Sequence, residues 1–244
     1  MAKENATRVL IVGNGRMGAL IRALVEADAA FELVGEIGIE NKDDLAGAAP
    51  TADLVIDFSH KAMLPLLVGY VQRTGAALVS GTTGLTADEL AQLQALGETT
   101  RVIHASNYSL GVAALRHLSA SAASMLEGWD IEIVETHHNQ KADAPSGTAV
   151  ALVEAVRSAD STIIHGREGM VGARPAREIG VHAVRGGTVA GTHEVHFFGP
   201  DEELCLTHRA TSRQIFAQGA VTAARRLLTR EPGFYSFDEL LFEE

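Results

Sequence analysis

A single cysteine, Cys205, stands in 244 residues. No internal disulfide can brace the fold, and the chain suits a reducing compartment. Basic residues are also scarce: 20 lysines and arginines face 31 aspartates and glutamates, a formal net charge of -11. A surface of that sign repels phosphate backbones, which argues against nucleic acid as a main partner. An anionic substrate then needs a local positive pocket set against the global field. No apolar run reaches the roughly 20 residues of a membrane span, and Met1, Ala2, Lys3, Glu4 and Asn5 show no signal-peptide core. A soluble cytoplasmic protein without a membrane partner is expected. Internal repeats and low-complexity tracts are missing too. With 46% hydrophobic and 21% charged residues, nothing marks the chain as disordered. Its length allows a sizeable core, in one large domain or two modest ones.

What is present begins with an alternation of strand and helix. Residues 9–12 are continuously apolar, as a parallel strand buried on both faces should be. Met17, Leu20, Ile21, Leu24 and Val25 then recur at helical spacing. Strands are expected at 31–35, 54–58, 76–79 and 102–104, with a helix through Met63, Leu66, Leu67, Tyr70 and Val71. Thr86 and Glu89 form a capping box for a helix to Leu96. This series predicts βαβ units in a doubly wound, Rossmann-like parallel sheet of the α/β class. After Tyr108 the pattern changes. A helix is expected at 112–126, strands around 129–133, 179–184, 192–198 and 204–208, and a long helix from Arg213 to Leu228. The second half therefore reads as a smaller α+β domain with an open, mixed or antiparallel sheet.

Gly13, Asn14, Gly15, Arg16, Met17 and Gly18 lie between the first strand and the first helix. Glycines there allow a tight turn and close approach of backbone to a pyrophosphate at the helix N-terminus. Dinucleotide binding is expected. Glu40 could bond both ribose hydroxyls and favour NADH, while Lys42 could pair with a 2′-phosphate and favour NADPH; both also read as solvated loop charges. The coenzyme stays open between the two. Gly81, Thr82 and Thr83, and Ala105, Ser106, Asn107 and Tyr108, sit at carboxyl ends of strands, where such sheets bind ligands. Their hydroxyls and amides suit a nicotinamide and its ribose; as turns alone they need no function.

The segment from Glu135 to Ala149 holds His137, His138 and Lys141, then a small-residue turn through Asp143, Ala144, Pro145 and Ser146. No metal is expected there, because neither a cysteine nor a carboxylate completes a familiar ligand spacing. His193 and His196 lack zinc-protease spacing and face opposite ways on a strand. Gly147 and Thr148 would present unpaired amides at the positive end of a helix, a carboxylate site. Lys141 adds a charge, and one imidazole can act as an acid near neutrality. Such a cluster suits proton delivery to a small dicarboxylate.

The pattern E-x-H-H-x-x-K-x-D-A-P-S-G-T-A across this segment resembles the signature of the dihydrodipicolinate reductase family. Gly15 to Gly18, Val55 to Ser59, Gly81 to Gly84, Gly166 to Gly169, His182 to Gly187, Gly191 to Val195 and His208 to Ala210 match it as well, in order. The resemblance implies NADH- or NADPH-dependent reduction of 4-hydroxy-tetrahydrodipicolinate to tetrahydrodipicolinate, on the diaminopimelate and lysine route. It implies that His137 is the proton donor and acceptor, that Lys141 is catalytic and charge-stabilising, and that His138, Gly147 and Thr148 bind substrate. It further implies that the last helix rejoins the nucleotide domain, giving domains of 1–107 plus 213–244 and of 108–212, and a homotetramer assembled through the substrate domain's sheet. The glycine loop is one residue shorter than in many members, and Ser106 stands where they carry proline. Other readings are a different nicotinamide oxidoreductase acting on a small acid, which has no reason to carry the 143–148 turn, and a non-enzymatic nucleotide sensor, which could dispense with His137 and Lys141.

Overall fold

The computed structural model describes residues 6–242, so residues 1–5, read above for a signal-peptide core, lie outside it. The chain divides into two compact units: residues up to 109 together with 214 onward, and residues 110–213.

The first unit begins with β1 (Thr7–Val12), α1 (Arg16–Ala27), β2 (Phe31–Ile37), β3 (Leu54–Asp57), α2 (Leu64–Thr74), β4 (Ala77–Ser80), α3 (Ala87–Leu96) and β5 (Arg101–His104). The second unit contributes α4 (Leu110–Met125), β6 (Asp130–His137), α5 (Gly147–Val156), β7 (Thr162–Ile164), β8 (Glu178–Arg185), β9 (Thr192–Gly199) and β10 (Glu202–Arg209). The chain then returns to the first unit with α6 (Gln214–Leu227), β11 (Gly233–Tyr235) and α7 (Phe237–Phe242).

The first sheet has the order β11-β5-β4-β3-β1-β2, with every pair parallel. Its strands are apolar on both faces because helices cover both. Leu10, Val55, Leu78 and Val102 pack with Leu67, Tyr70, Val71, Leu93 and Leu96 of α2 and α3. The alternate residues Val9, Ile11, Ile56 and Ile103 are fully buried too, on the side where α6 packs with α1 and runs over β3, β4 and β5. Polar groups drawn into this core are bonded: Tyr70 Oη donates to the Pro50 carbonyl at 2.6 Å and accepts the Ala52 amide at 2.9 Å. The helix ends follow their sequence signals. Thr86 and Glu89 cap α3 reciprocally, and Gly75 ends α2 with φ +71°.

The second sheet has the order β10-β9-β6-β8-β7. It is mixed: β6, β8 and β7 run parallel, and β9 is antiparallel to both β6 and β10. Ile133, Val181, Val195 and Phe197 point to one face, where Leu115, Ala122, Leu152 and Val153 of α4 and α5 cover them. The opposite face carries Glu132, Val134, His182, His196 and Phe198 around a shallow cavity of about 460 Å³. Burial there would raise the Glu132 carboxyl, but Arg167, His182 and Arg174 bond it and bring it down to about 2.

Two short strands were not foreseen. β7 and β11 are three residues each, too short to show a period. The segment holding Glu40 and Lys42 is also more ordered than a loop, forming a 3₁₀ helix over Ile39–Ala46.

Candidate active site

The glycine turn after β1 is dictated by contacts that leave no room for side chains. Gly13 has φ +107°, and a Cβ there would lie 2.4 Å from the Phe58 carbonyl oxygen. A Cβ on Gly18 would stand 1.8 Å from the Gly13 carbonyl oxygen, so α1 can press onto the turn only with glycine at that position. Gly15, the N-cap of α1, differs: nothing lies within 4 Å of where its Cβ would be, and no side chain caps the helix. The positive end of α1 is thus uncapped and open at Gly15, an arrangement that fits a pyrophosphate. Asn14 and Arg16 are exposed beside it and Met17 is half-buried. Asn14 Nδ2 donates to Glu40 Oε1 at 2.5 Å, which brings the carboxylate after β2 against the turn.

The loops after β4 and β5 are tied to a buried carboxylate that sequence reasoning passed over. Asp57, at the end of β3, accepts from Ser59 Oγ at 2.5 Å, Ser80 Oγ at 2.8 Å and Thr82 Oγ1 at 2.9 Å. Burial raises its carboxyl, and these hydrogen bonds offset part of the effect. His104 Nε2 bonds the Thr82 carbonyl at 2.9 Å. Tyr108 is buried between the Phe58 and Phe237 rings, donates to the Ser80 carbonyl at 2.8 Å, and has its phenol raised by burial and by the Asp57 charge. Gly81 lies flat on the Phe58 ring. The Ala105 amide bonds the Ser80 carbonyl and Asn107 Oδ1 accepts the Ser109 amide. Thr83 and Ser106 stay exposed. The side chains of Thr82 and Tyr108 are thus committed to the protein itself, and they fix loops whose exposed parts remain for a ligand.

In the second unit the sequence-predicted cluster sits at the end of β6. Glu135 is fully buried and forms a fork with Arg185 of β8, both N–H···O distances being 2.8 Å. The same carboxylate accepts from His137 Nδ1 at 2.6 Å and from the Ser146 amide at 3.0 Å. Burial pushes the Glu135 carboxyl up, but Arg185, His137 and Ser146 together hold it below the usual range. An ionised Glu135 only accepts, so Nδ1 carries a proton and Nε2 is the nitrogen turned away from it. Gly191 keeps a space there: its Cβ would be 3.0 Å from His137 Nε2.

Ser146 caps α5 by accepting the Ala149 amide at 3.1 Å. This leaves Gly147 and Thr148 in the first turn, with nothing within 4 Å of a Cβ on Gly147. Ser146 Oγ also bonds His193 Nε2 at 3.0 Å. Burial first, and then the neighbouring His137, pull the His193 imidazole down to about 4, so it is neutral. Lys141 is mostly covered and lies 2.8 Å from Asp143 Oδ1. His138 is half-buried in the turn after β6, where its carbonyl accepts the Lys141 amide at 3.2 Å.

His137, His138, Lys141, Gly147 and Thr148 are therefore gathered at one end of the second sheet. Glu135, Arg185 and His193 were not expected to take part. The register pairs His137 with Arg185 and Glu135 with His193, a relation that spacing along the chain does not reveal. Elsewhere on the second sheet, donor atoms of His196, Glu203 and Cys205 lie within 4.8 Å of one another.

The helix-covered parallel sheet, the glycine cradle at α1 and a hydrogen-bonded imidazole beside a lysine define an NAD(P)H-dependent oxidoreductase. Two family models match nearly the whole chain: "Dihydrodipicolinate reductase, N-terminus" over residues 7–108 and "Dihydrodipicolinate reductase, C-terminus" over 111–241. The chain belongs to the dihydrodipicolinate reductase family. It is 42% identical to the 4-hydroxy-tetrahydrodipicolinate reductase of Akkermansia muciniphila, covering 96% of this chain and 97% of that one. It is 38% identical to the enzyme of that name from Caldanaerobacter subterraneus, covering 96% and 98%. A dipicolinate-bound dihydrodipicolinate reductase from Paenisporosarcina sp. TG-14 shares the fold, with a TM-score of 0.76, 22% identity, and 97% and 99% of the two chains covered.

Proposed function

We propose that this protein reduces 4-hydroxy-tetrahydrodipicolinate to tetrahydrodipicolinate on the diaminopimelate and lysine route, in the cytoplasm, with His137 delivering the proton. The observation that carries this reading is the Glu135–His137 bond at 2.6 Å beside the opened first turn of α5. It supports Nε2 as the imidazole nitrogen that meets a substrate whose carboxylate the helix end would hold.

The coenzyme, NADH or NADPH, supplies a hydride when bound. Gly13, Asn14, Gly15, Arg16, Met17 and Gly18 cradle its pyrophosphate with backbone amides. The loops containing Gly81, Thr82 and Thr83, and Ala105, Ser106, Asn107 and Tyr108, receive the nicotinamide end, held in shape by Asp57. Glu40, bonded to Asn14, meets the ribose and favours free hydroxyls there.

In the second unit, Gly147 and Thr148 donate amides to one substrate carboxylate, and His138 assists. Lys141 exchanges its contact with Asp143 for the anionic substrate and stabilises charge as the ring is reduced. His137 gives its Nε2 proton and keeps the one on Nδ1. The face of the second sheet away from α4 and α5 carries Val184 and Phe198, which are 47% and 40% exposed. That supports assembly of a homotetramer through this sheet.

An assay following NADH and NADPH oxidation with freshly generated 4-hydroxy-tetrahydrodipicolinate tests the reading. Substrate-dependent oxidation of either coenzyme is expected; its absence with both would refute it.

A further inference from the structure

We infer that Glu135 is the positioning residue of this site: its carboxylate sets the tautomer of His137 and locks the first turn of α5 to the same point. The inference rests on the reading of His137 as proton donor.

A carboxylate offers about four acceptor positions. Here four donors take them: Nη1 and Nη2 of Arg185, Nδ1 of His137 and the amide of Ser146. These donors come from β8, from β6 and from the start of α5. One fully buried group therefore orients the imidazole and holds the helix turn that would grip a substrate carboxylate. Arg185 supplies a charge that opposes the upward pull of burial on the Glu135 carboxyl and, with His137 and Ser146, holds it below the usual range. It also reaches the Asp143 carbonyl at 2.8 Å, which ties in the turn beyond Lys141.

The consequence is chemical. Neutral imidazoles otherwise choose either nitrogen, and an acid that has spent its proton must be ready to receive the next at the same atom. With Nδ1–H pinned to Glu135, the proton lost and regained is always that of Nε2. The other groups around the ring do not compete for Nδ1. His193 of β9 lies edge-on with centroids 5.1 Å apart and is bonded to Ser146. His208 of β10 lies beyond it, paired in register with His193. Lys141 is engaged by Asp143.

A glutamine at this position has the shape of glutamate but a single acceptor oxygen and an NH₂ that donates. It cannot serve four donors, so His137 must release its Nδ1 proton or Ser146 must move. The test is ¹⁵N NMR of the full chain without substrate, with the His137 signals assigned by their loss in His137→Gln. The wild type should show neutral His137 protonated on Nδ1 and bare on Nε2. Glu135→Gln should move it toward Nε2–H and reduce kcat by about 100-fold or more, with a smaller change in KM. A neutral wild-type His137 with its single proton on Nε2 would overturn the inference, even if the variant does not fold. So would Glu135→Gln with both the His137 tautomer and the Ser146 amide signal unchanged. The spectra need no turnover, so they stand or fall separately from the identity of the substrate.

Discussion

Gly219 and Gly69 both sit inside helices of the first unit, and the structure demands opposite outcomes from the same substitution. In α6, a Cβ on Gly219 would lie 1.6 Å from the carbonyl oxygen of Tyr108 and 2.7 Å from its carbonyl carbon. In α2, nothing lies within 4 Å of a Cβ on Gly69. Alanine is favoured over glycine in a helix interior by about 1 kcal/mol. Gly69→Ala should keep most of that gain. Gly219→Ala must open a backbone-to-backbone contact that no rotamer can relieve. Overpacking costs about 1–3 kcal/mol and occasionally more, and a rigid neighbour puts this site at the upper end. After the helix gain is subtracted, about 2 kcal/mol of destabilisation remains. For a chain of this size, 1 kcal/mol shifts Tm by roughly 2–4 °C. Gly219→Ala should therefore melt about 4–8 °C below wild type and Gly69→Ala about 2–4 °C above it, read by circular dichroism. Equal shifts of the same sign would refute the close packing of α6 on Tyr108.

His137→Gln should cut turnover about 100-fold or more with little change in coenzyme affinity, because a proton-transfer group is lost; near-normal turnover would remove that assignment. Lys141→Ala should lose both rate and substrate affinity, and unchanged kinetics would exclude it from the site. His193 gives a pH signature: its folded value of about 4 lies below the unfolded 6.5, so the unfolded state binds more protons between those limits. Its contribution is complete above pH 6.5 and is lost as pH falls through 4, about 3 kcal/mol in all. His193→Gln should flatten urea-measured stability across that window, and an unchanged slope would contradict the buried neutral imidazole. Glu40→Gln should raise the NADPH-to-NADH ratio of kcat/KM, and an unaltered ratio would place Glu40 away from the ribose.

The sequence made the parallel sheet legible because its strands are buried on both faces, so runs such as residues 9–12 are apolar without interruption. The capping box at Thr86 was equally plain, since its two partners are three residues apart. The 137–148 cluster could be found for the same reason: its members are close along the chain. Glu135 could be seen only as one letter of a motif. Its meaning depends on Arg185 and His193, which the register of β6 with β8 and β9 brings beside it, and single-sequence periodicity carries no register. Asp57 was hidden in a similar way. It ends an apolar strand, and the hydroxyls that bond it come from the loop after β3, the last residue of β4 and the loop after β4. β11 could not be anticipated, because three residues establish no alternation.

That last strand has a bearing on how the protein is made. Residues 233–235 form the edge beside β5, yet a ribosome delivers them only after all of the second unit. Until then the growing polypeptide carries an unfinished border with free amides and carbonyls, and α6 is not yet there to shield the layer beneath. Synthesis thus leaves the nucleotide-fold half waiting for its last piece, a period when a chaperone has most to protect.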